Sequence, residues 1–170
     1  DGWVQDAMPI SNYVYSCVWS SGIDVIDVSD PTNPTYVSTL TNSINADIMF
    51  DGNYGYIASK QDGLTVIDVS DPGAPTTITT YDTDGSVRKV SFGSISMNGT
   101  QTGHIFGAET SLLSAVNVSD LNNISVSGAV AVAAPAHGLC YSSLLSGNTA
   151  YLAYRYHVRA IDITNPSAMT

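Results

Sequence analysis

Good helix formers are scarce in this chain of 170 residues. Lys and Arg together number 5, and of the 15 acidic residues Glu109 is the sole glutamate. Glu, Lys and Arg favour helices, whereas Asp, Asn, Gly, Ser and Pro favour turns, so the shortage predicts an all-β chain with many turns. Positive charge is equally short. A net charge of -10 repels phosphate backbones, and none of Lys60, Arg88, Lys89, Arg155 and Arg159 forms more than a pair in sequence, so no nucleic-acid partner is expected. No apolar run reaches the roughly 18 residues that a membrane span needs; the longest, Gly128 to Ala136, is short and alanine-rich. Cys17 and Cys140 lie far apart and read as free, buried small hydrophobes. Three histidines at 104, 137 and 157 are too few and too dispersed for a metal cage. The sequence has no Gly-x-Ser-x-Gly elbow, His-Glu-x-x-His, phosphate loop or Cys-x-x-Cys, which weighs against an enzyme.

What is present is a repeat. Ile23-Asp24-Val25-Ile26-Asp27-Val28-Ser29-Asp30-Pro31 recurs as Leu64-Thr65-Val66-Ile67-Asp68-Val69-Ser70-Asp71-Pro72, as Ser114-Ala115-Val116-Asn117-Val118-Ser119-Asp120, and as Arg159-Ala160-Ile161-Asp162-Ile163-Thr164-Asn165-Pro166. Counted from Ile26, Ile67, Val116 and Ile161 the copies are 41, 49 and 45 residues apart. Each copy alternates β-branched and polar residues and then stops, in three of the four at a proline, which removes a ladder donor and sets up a turn.

The second unit shows the whole pattern: Ala46 to Phe50, a turn at Asp51-Gly52-Asn53, Tyr54 to Ala58, a turn at Lys60 to Gly63, the anchor strand, a Pro72 to Pro75 turn, and Thr76 to Tyr81. Four strands A to D joined by short turns form an antiparallel meander, the unit of a β-propeller. The chain divides into blades at approximately 1–41, 42–83, 84–131 and 132–170. In the third, the longer A–B connection from Gly93 to Gly103 reads as a solvent loop, Asn117 replaces the anchor Asp, and Leu121 replaces proline. The fourth stops at the turn before its own strand D. Further blades in a longer chain, or a strand from a neighbouring subunit, are expected to complete it.

The run from Gly52 to Pro75, Gly-Asn-Tyr, Tyr-Ile-Ala and Gly-Leu-x-Val-Ile-Asp-Val-Ser-Asp-Pro-x-x-Pro, resembles the LVIVD repeat of bacterial and archaeal secreted or surface proteins. The resemblance covers units one, two and four well and unit three weakly. It implies a propeller and says little of chemistry, because the shared motif builds the blade. Val25, Ile26, Val66 and Ile67 can be apolar at consecutive positions because a mid-blade strand is covered on both faces. Asp27 and Asp68 are expected to accept hydrogen bonds from turn amides near Ser29-Asp30 and Ser70-Asp71; calcium, on Asp24, Asp27 and Asp30, is the competing reading and the one cofactor in view.

In such a meander the D–A and B–C connections open on one face, where the units differ. Around the central channel this places Asp6, Asp47, Arg88, Lys89 and His137 at the starts of strands A, and Trp19, Lys60, Glu109, Arg155, Tyr156 and His157 in the B–C turns. Charge, imidazole and aromatic groups at one mouth suit a small-ligand or glycan site. Asp6 and Asp47, at one position in adjacent blades, can be drawn as a glycosidase-type pair, but so can many pairs in a repeat protein. Sequons occur at Asn98, Asn117 and Asn123, with Asn98 and Asn123 the candidate acceptors and Asn117 turned toward its own backbone. The expectation is an extracellular or cell-surface propeller that binds protein or glycan, with a polysaccharide-active enzyme or a self-assembling surface subunit as the alternatives.

Overall fold

A computed structural model of the chain describes residues 2–19, 21–41, 45–83, 86–97, 100–108, 112–132 and 139–170, the side chains of 96, 97, 100 and 101 excepted. Fifteen strands form four antiparallel sheets. Blade 1 comprises β1 (Val4–Ile10), β2 (Tyr13–Val18), β3 (Gly22–Asp27) and β4 (Thr35–Leu40); blade 2 comprises β5 (Asp47–Asp51), β6 (Tyr54–Ala58), β7 (Leu64–Asp68) and β8 (Thr76–Tyr81). Blade 3 has β9 (Lys89–Met97), β10 (Thr100–Ala108), β11 (Leu112–Asn117) and β12 (Ser125–Ala131), and blade 4 has β13 (Cys140–Ser146), β14 (Thr149–Tyr154) and β15 (Val158–Asp162). Within each sheet the strands follow in chain order, and the inner strands β1, β5, β9 and β13 pack in succession around a common axis. The architecture is a β-propeller, as the repeat predicts.

Each anchor strand ends in the same device. The side chain of Asp27 accepts from the Ser29 amide at 2.7 Å, Asp68 from Ser70 at 2.7 Å, Asn117 from Ser119 at 2.9 Å and Asp162 from Thr164 at 2.8 Å. Three residues on, Asp30, Asp71, Asp120 and Asn165 accept from Thr32, Gly73, Asn122 and Ser167 at 2.9 to 3.1 Å. Two consecutive side-chain turns therefore steer every C–D connection, which is what Asp and Asn do well. Among the described residues no group of three or more metal-type side chains is found. The amide of the residue after each anchor Asp or Asn bonds back to a carbonyl, of the A–B turn in blades 1, 2 and 4 (Val28 to Asn12, Val69 to Asn53, Ile163 to Asn148) and of β10 in blade 3 (Val118 to Gly103), at 2.8 to 2.9 Å.

Consecutive apolar residues of the central strands serve different interfaces. Val25 joins Ile48, Ile57 and Ile67 between blades 1 and 2, while Val66 joins Val90, Ile105 and Val116 between blades 2 and 3. Ala115 packs with Leu152 and Ile161 between blades 3 and 4. The core is thus divided among the gaps between blades. Ile67 is fully buried because blade 1 covers it, whereas its counterpart Ile26, on the flank of blade 1, is only half-buried.

The strands of the central motif end at Asp27, Asp68, Asn117 and Asp162, where the anchor side chain folds the next residues into the turn. One sequence expectation is corrected. The connection from Gly93 to Gly103 is a longer hairpin and no loop: β9 pairs β10 without interruption from Lys89–Ala108 to Met97–Thr100. Blade 4 shows three strands among the described residues, as its repeat leads one to expect. There, Thr170 exchanges both backbone hydrogen bonds with Asp162, at 2.8 and 3.3 Å, at the position where Thr35 and Thr76 begin strand D in blades 1 and 2.

Candidate functional site

The starts of the inner strands converge: Gln5, Ala46, Arg88 and Lys89 of blades 1 to 3 line a cavity of about 340 Å³ together with Leu139, Cys140 and Tyr141 of blade 4. His137 and Glu109 lie outside the described residues, as does Asn98.

Carboxylates at this level join blades. Asp6 accepts from the Ile48 amide at 3.3 Å, and Asp47, one repeat later, accepts from the Val90 amide at 2.9 Å. At the next equivalent position stands Lys89, whose Nζ lies 2.7 Å from Asp47 Oδ1. Burial pushes the Asp47 carboxyl up to about 6, against the opposing pull of Lys89 and Val90. Burial also raises the thiol of Cys17 and takes that of Cys140 to about 11, so both stay protonated near neutrality.

A second group forms beside it. Trp19 ends β2's hairpin in blade 1, Lys60 opens the B–C turn of blade 2, and Arg88 precedes β9 of blade 3. With Ser59, Gln61, Asp62 and Ser86 they line a cavity of about 530 Å³. Lys60 Nζ sits 3.2 Å from the centroid of the Trp19 ring. Only 7% of Lys60 is exposed, and among the described residues neither its Nζ nor Arg88 Nε has a hydrogen-bond partner. Burial, then the Arg88 charge, lowers the affinity of Lys60 for its proton. The turn is locally strained: Lys60 takes a φ of 46°, a region that few residues other than glycine adopt, and Gly63 (φ 83°) closes the turn where a Cβ would collide with the Tyr81 carbonyl. Amides of Asp62 and Gly63 bond to Ser59 and Lys60 carbonyls at 3.0 Å, and the Val87 amide bonds to the Lys60 carbonyl at 3.0 Å, which fixes the turn against blade 3.

Trp3, which sequence reasoning passed over, belongs here. It is 82% exposed and, with Gly2, Gln5 and Trp19, lines a mainly apolar cavity of about 460 Å³ that shares Trp19 with the 530 Å³ cavity. Its rarity was the available signal, since the chain has two tryptophans and both stand at this mouth.

The remaining candidates lie on blade 4 and do not join this group. Arg155 is exposed and lies 5.3 Å from the Tyr156 ring, and Tyr156 is 77% exposed. His157 differs from a solvated rim residue, because it is half-buried, stacks on Tyr154 at 5.2 Å and has a buried Nε2 with no hydrogen-bond partner among the described residues. Asn123 is exposed in the C–D turn of blade 3, and Asn117 is engaged with the Ser119 amide.

A repeated four-stranded meander whose varied side chains gather on the D–A and B–C side defines a β-propeller with one differentiated mouth. The family model of the LVIVD repeat matches residues 2–42, 45–83 and 142–170, and the chain belongs to the LVIVD-repeat family. No curated protein matches it in sequence. Among solved structures it resembles the periplasmic gluconolactonase of Pseudomonas aeruginosa, with 14% identity and a TM-score of 0.69 over 99% of this chain and 52% of that one. It also resembles a protein from Lactobacillus plantarum (15%, TM-score 0.64, 98% and 54%) and a computationally designed protein (10%, TM-score 0.66, 98% and 48%). At these identities the likeness is one of fold. The chain spans about half the length of the solved chains it matches.

Proposed function

We propose that this propeller is an extracellular or cell-surface binding module whose ligand is a glycan, held at the mouth where Trp3, Trp19, Lys60 and Arg88 meet. The observation that carries the reading is the pair of adjoining cavities that share Trp19, one with an apolar indole wall and the other with unpartnered cationic nitrogens. Sugars present apolar C–H faces that stack on aromatic rings and hydroxyls that seek a few convergent polar groups, which here are Gln5, Gln61 and Asp62. Four of the five basic residues, Lys60, Arg88, Lys89 and Arg155, stand on this side, where Lys89 is paired with Asp47 and Asp62 lines the same cavity as Lys60 and Arg88.

Asp6 and Asp47 are occupied in joining blades, which favours binding over catalysis at the channel. Calorimetric titration with a panel of neutral and acidic oligosaccharides is the direct test. Saturable binding that Trp19→Ala weakens tenfold or more is expected. Turnover of a bound oligosaccharide would instead support a polysaccharide-active enzyme, and binding indifferent to Trp19 would move the site elsewhere.

A further inference from the structure

The cavity beside Trp19 holds a feature that blade-building does not require. Lys60 is more than nine-tenths buried, and its ammonium has the face of one indole but no oxygen acceptor among the described residues. Arg88, the second cation on the same cavity, brings a buried Nε that is also unpartnered. Two like charges facing one space, each short of an acceptor, repel each other and lose solvation, a state that a bound anion relieves. A carboxylate, with two oxygens and about four lone-pair directions, can satisfy both nitrogens together.

We propose that the Trp19–Lys60–Arg88 cavity is a carboxylate subsite for a uronic acid residue of an acidic polysaccharide, the carboxylate bridging Lys60 Nζ and Arg88 Nε while the Trp19 indole moves onto the sugar ring. The inference rests on the glycan reading of this mouth and gives it a ligand class. Trp19 is 42% exposed at the end of its hairpin, so it can move off the ammonium without disturbing a core. Asp62 on the same cavity sets the spacing of charge. It repels a second carboxylate close to the first and accepts hydroxyl donors, which suits a sugar with one acid group per ring better than a peptide with one on every side chain. The negative remainder of the molecule acts weakly at this range, since ionic strength near 0.15 M screens exposed charges beyond about 8 Å.

The test uses the whole chain, trigalacturonate and galactotriose of equal length, and calorimetry. Trigalacturonate is expected to bind at least tenfold more tightly than galactotriose and to weaken as salt rises. Lys60→Gln and Arg88→Gln, made separately and checked for an unchanged melting profile, should each remove that advantage, so that the variant binds trigalacturonate no more tightly than it binds galactotriose. Equal affinity for the two trisaccharides, indifferent to both substitutions, overturns the carboxylate subsite and leaves the glycan reading standing. Binding of neither trisaccharide, with saturable binding of a glutamate oligopeptide that both substitutions abolish, overturns both and reassigns the cavity to an acidic peptide. No binding of any of the three overturns the subsite outright.

Discussion

Asp47 performs two tasks with one carboxylate: it caps the first amide pairs of blade 3 at Val90 and holds Lys89 at 2.7 Å. Burial outweighs both contacts and lifts its proton affinity to about 6 from an ordinary 3.8. An acid whose folded pKa lies above its unfolded one binds its proton more tightly when folded. Its contribution therefore favours the fold at low pH and is withdrawn as pH rises from about 4 to about 6, by about 3 kcal/mol for two units. Buried His104, whose proton affinity is lowered mainly by burial, works in the opposite sense, with stability falling as pH drops below its unfolded value of 6.5. The comparison with Asp47→Asn isolates the effect: thermal unfolding from pH 3 to 8 should show the difference between wild type and variant changing between pH 4 and 6 and constant above. A difference that does not vary with pH would mean that Asp47 is not held in this raised state. Below pH 4 a separate loss is expected in both proteins. Hydrogen bonds from Ser29 and Ser70, and from Thr32 and Thr164, hold Asp27, Asp68, Asp30 and Asp162 below the usual carboxylate range, so their contribution is present above about 3.8 and lost as pH falls.

At the scale of the element, the anchor turn explains why the repeat is written as it is. The side-chain oxygen two residues before each Ser or Thr amide substitutes for a backbone acceptor, and either Asp or Asn supplies it, as Asn117 shows. Asp68→Ala should therefore lower the midpoint of thermal or denaturant unfolding, because the Ser70 amide loses its acceptor, and Asp68→Asn should lower it much less. Equal losses for the two would show that charge, and not the acceptor, matters there. This device was legible because Asp27, Asp68, Asn117 and Asp162 recur at a fixed place ahead of a turn. The hairpin of blade 3 was less so. Extra length between Gly93 and Gly103 suggested a loop, yet Asn98-Gly99, the strongest short hairpin signal, sits between two runs of equal length that pair throughout.

For the whole molecule, position in the order of blades decides what a residue of the motif is worth. Ile26 and Ile67 have the same neighbours in sequence, but only Ile67 lies between two blades. Ile67→Ala should cost between 2 and 5 kcal/mol, as for a fully buried aliphatic side chain, and Ile26→Ala about 1 kcal/mol, since part of its surface already meets solvent. Chemical denaturation of the two variants measures this. Similar losses at both would mean that the outer flank of blade 1 is covered in solution.

The sequence by itself determined the blade: its strands, its turns and the two-sided burial of its central strand, because these depend on neighbours a few residues away and recur in every copy. Only the tertiary structure decided which varied residues meet. Trp19, Lys60 and Arg88 come from three different blades and line one cavity because the sheets pack in succession around the axis, while Arg155, Tyr156 and His157, chosen on the same grounds, lie apart on blade 4, Arg155 beside Tyr156 and His157 on Tyr154. A repeat prescribes equivalent positions. Distances across the mouth follow from how the blades are rotated against one another, and that rotation is set by the packed volumes of the inter-blade cores.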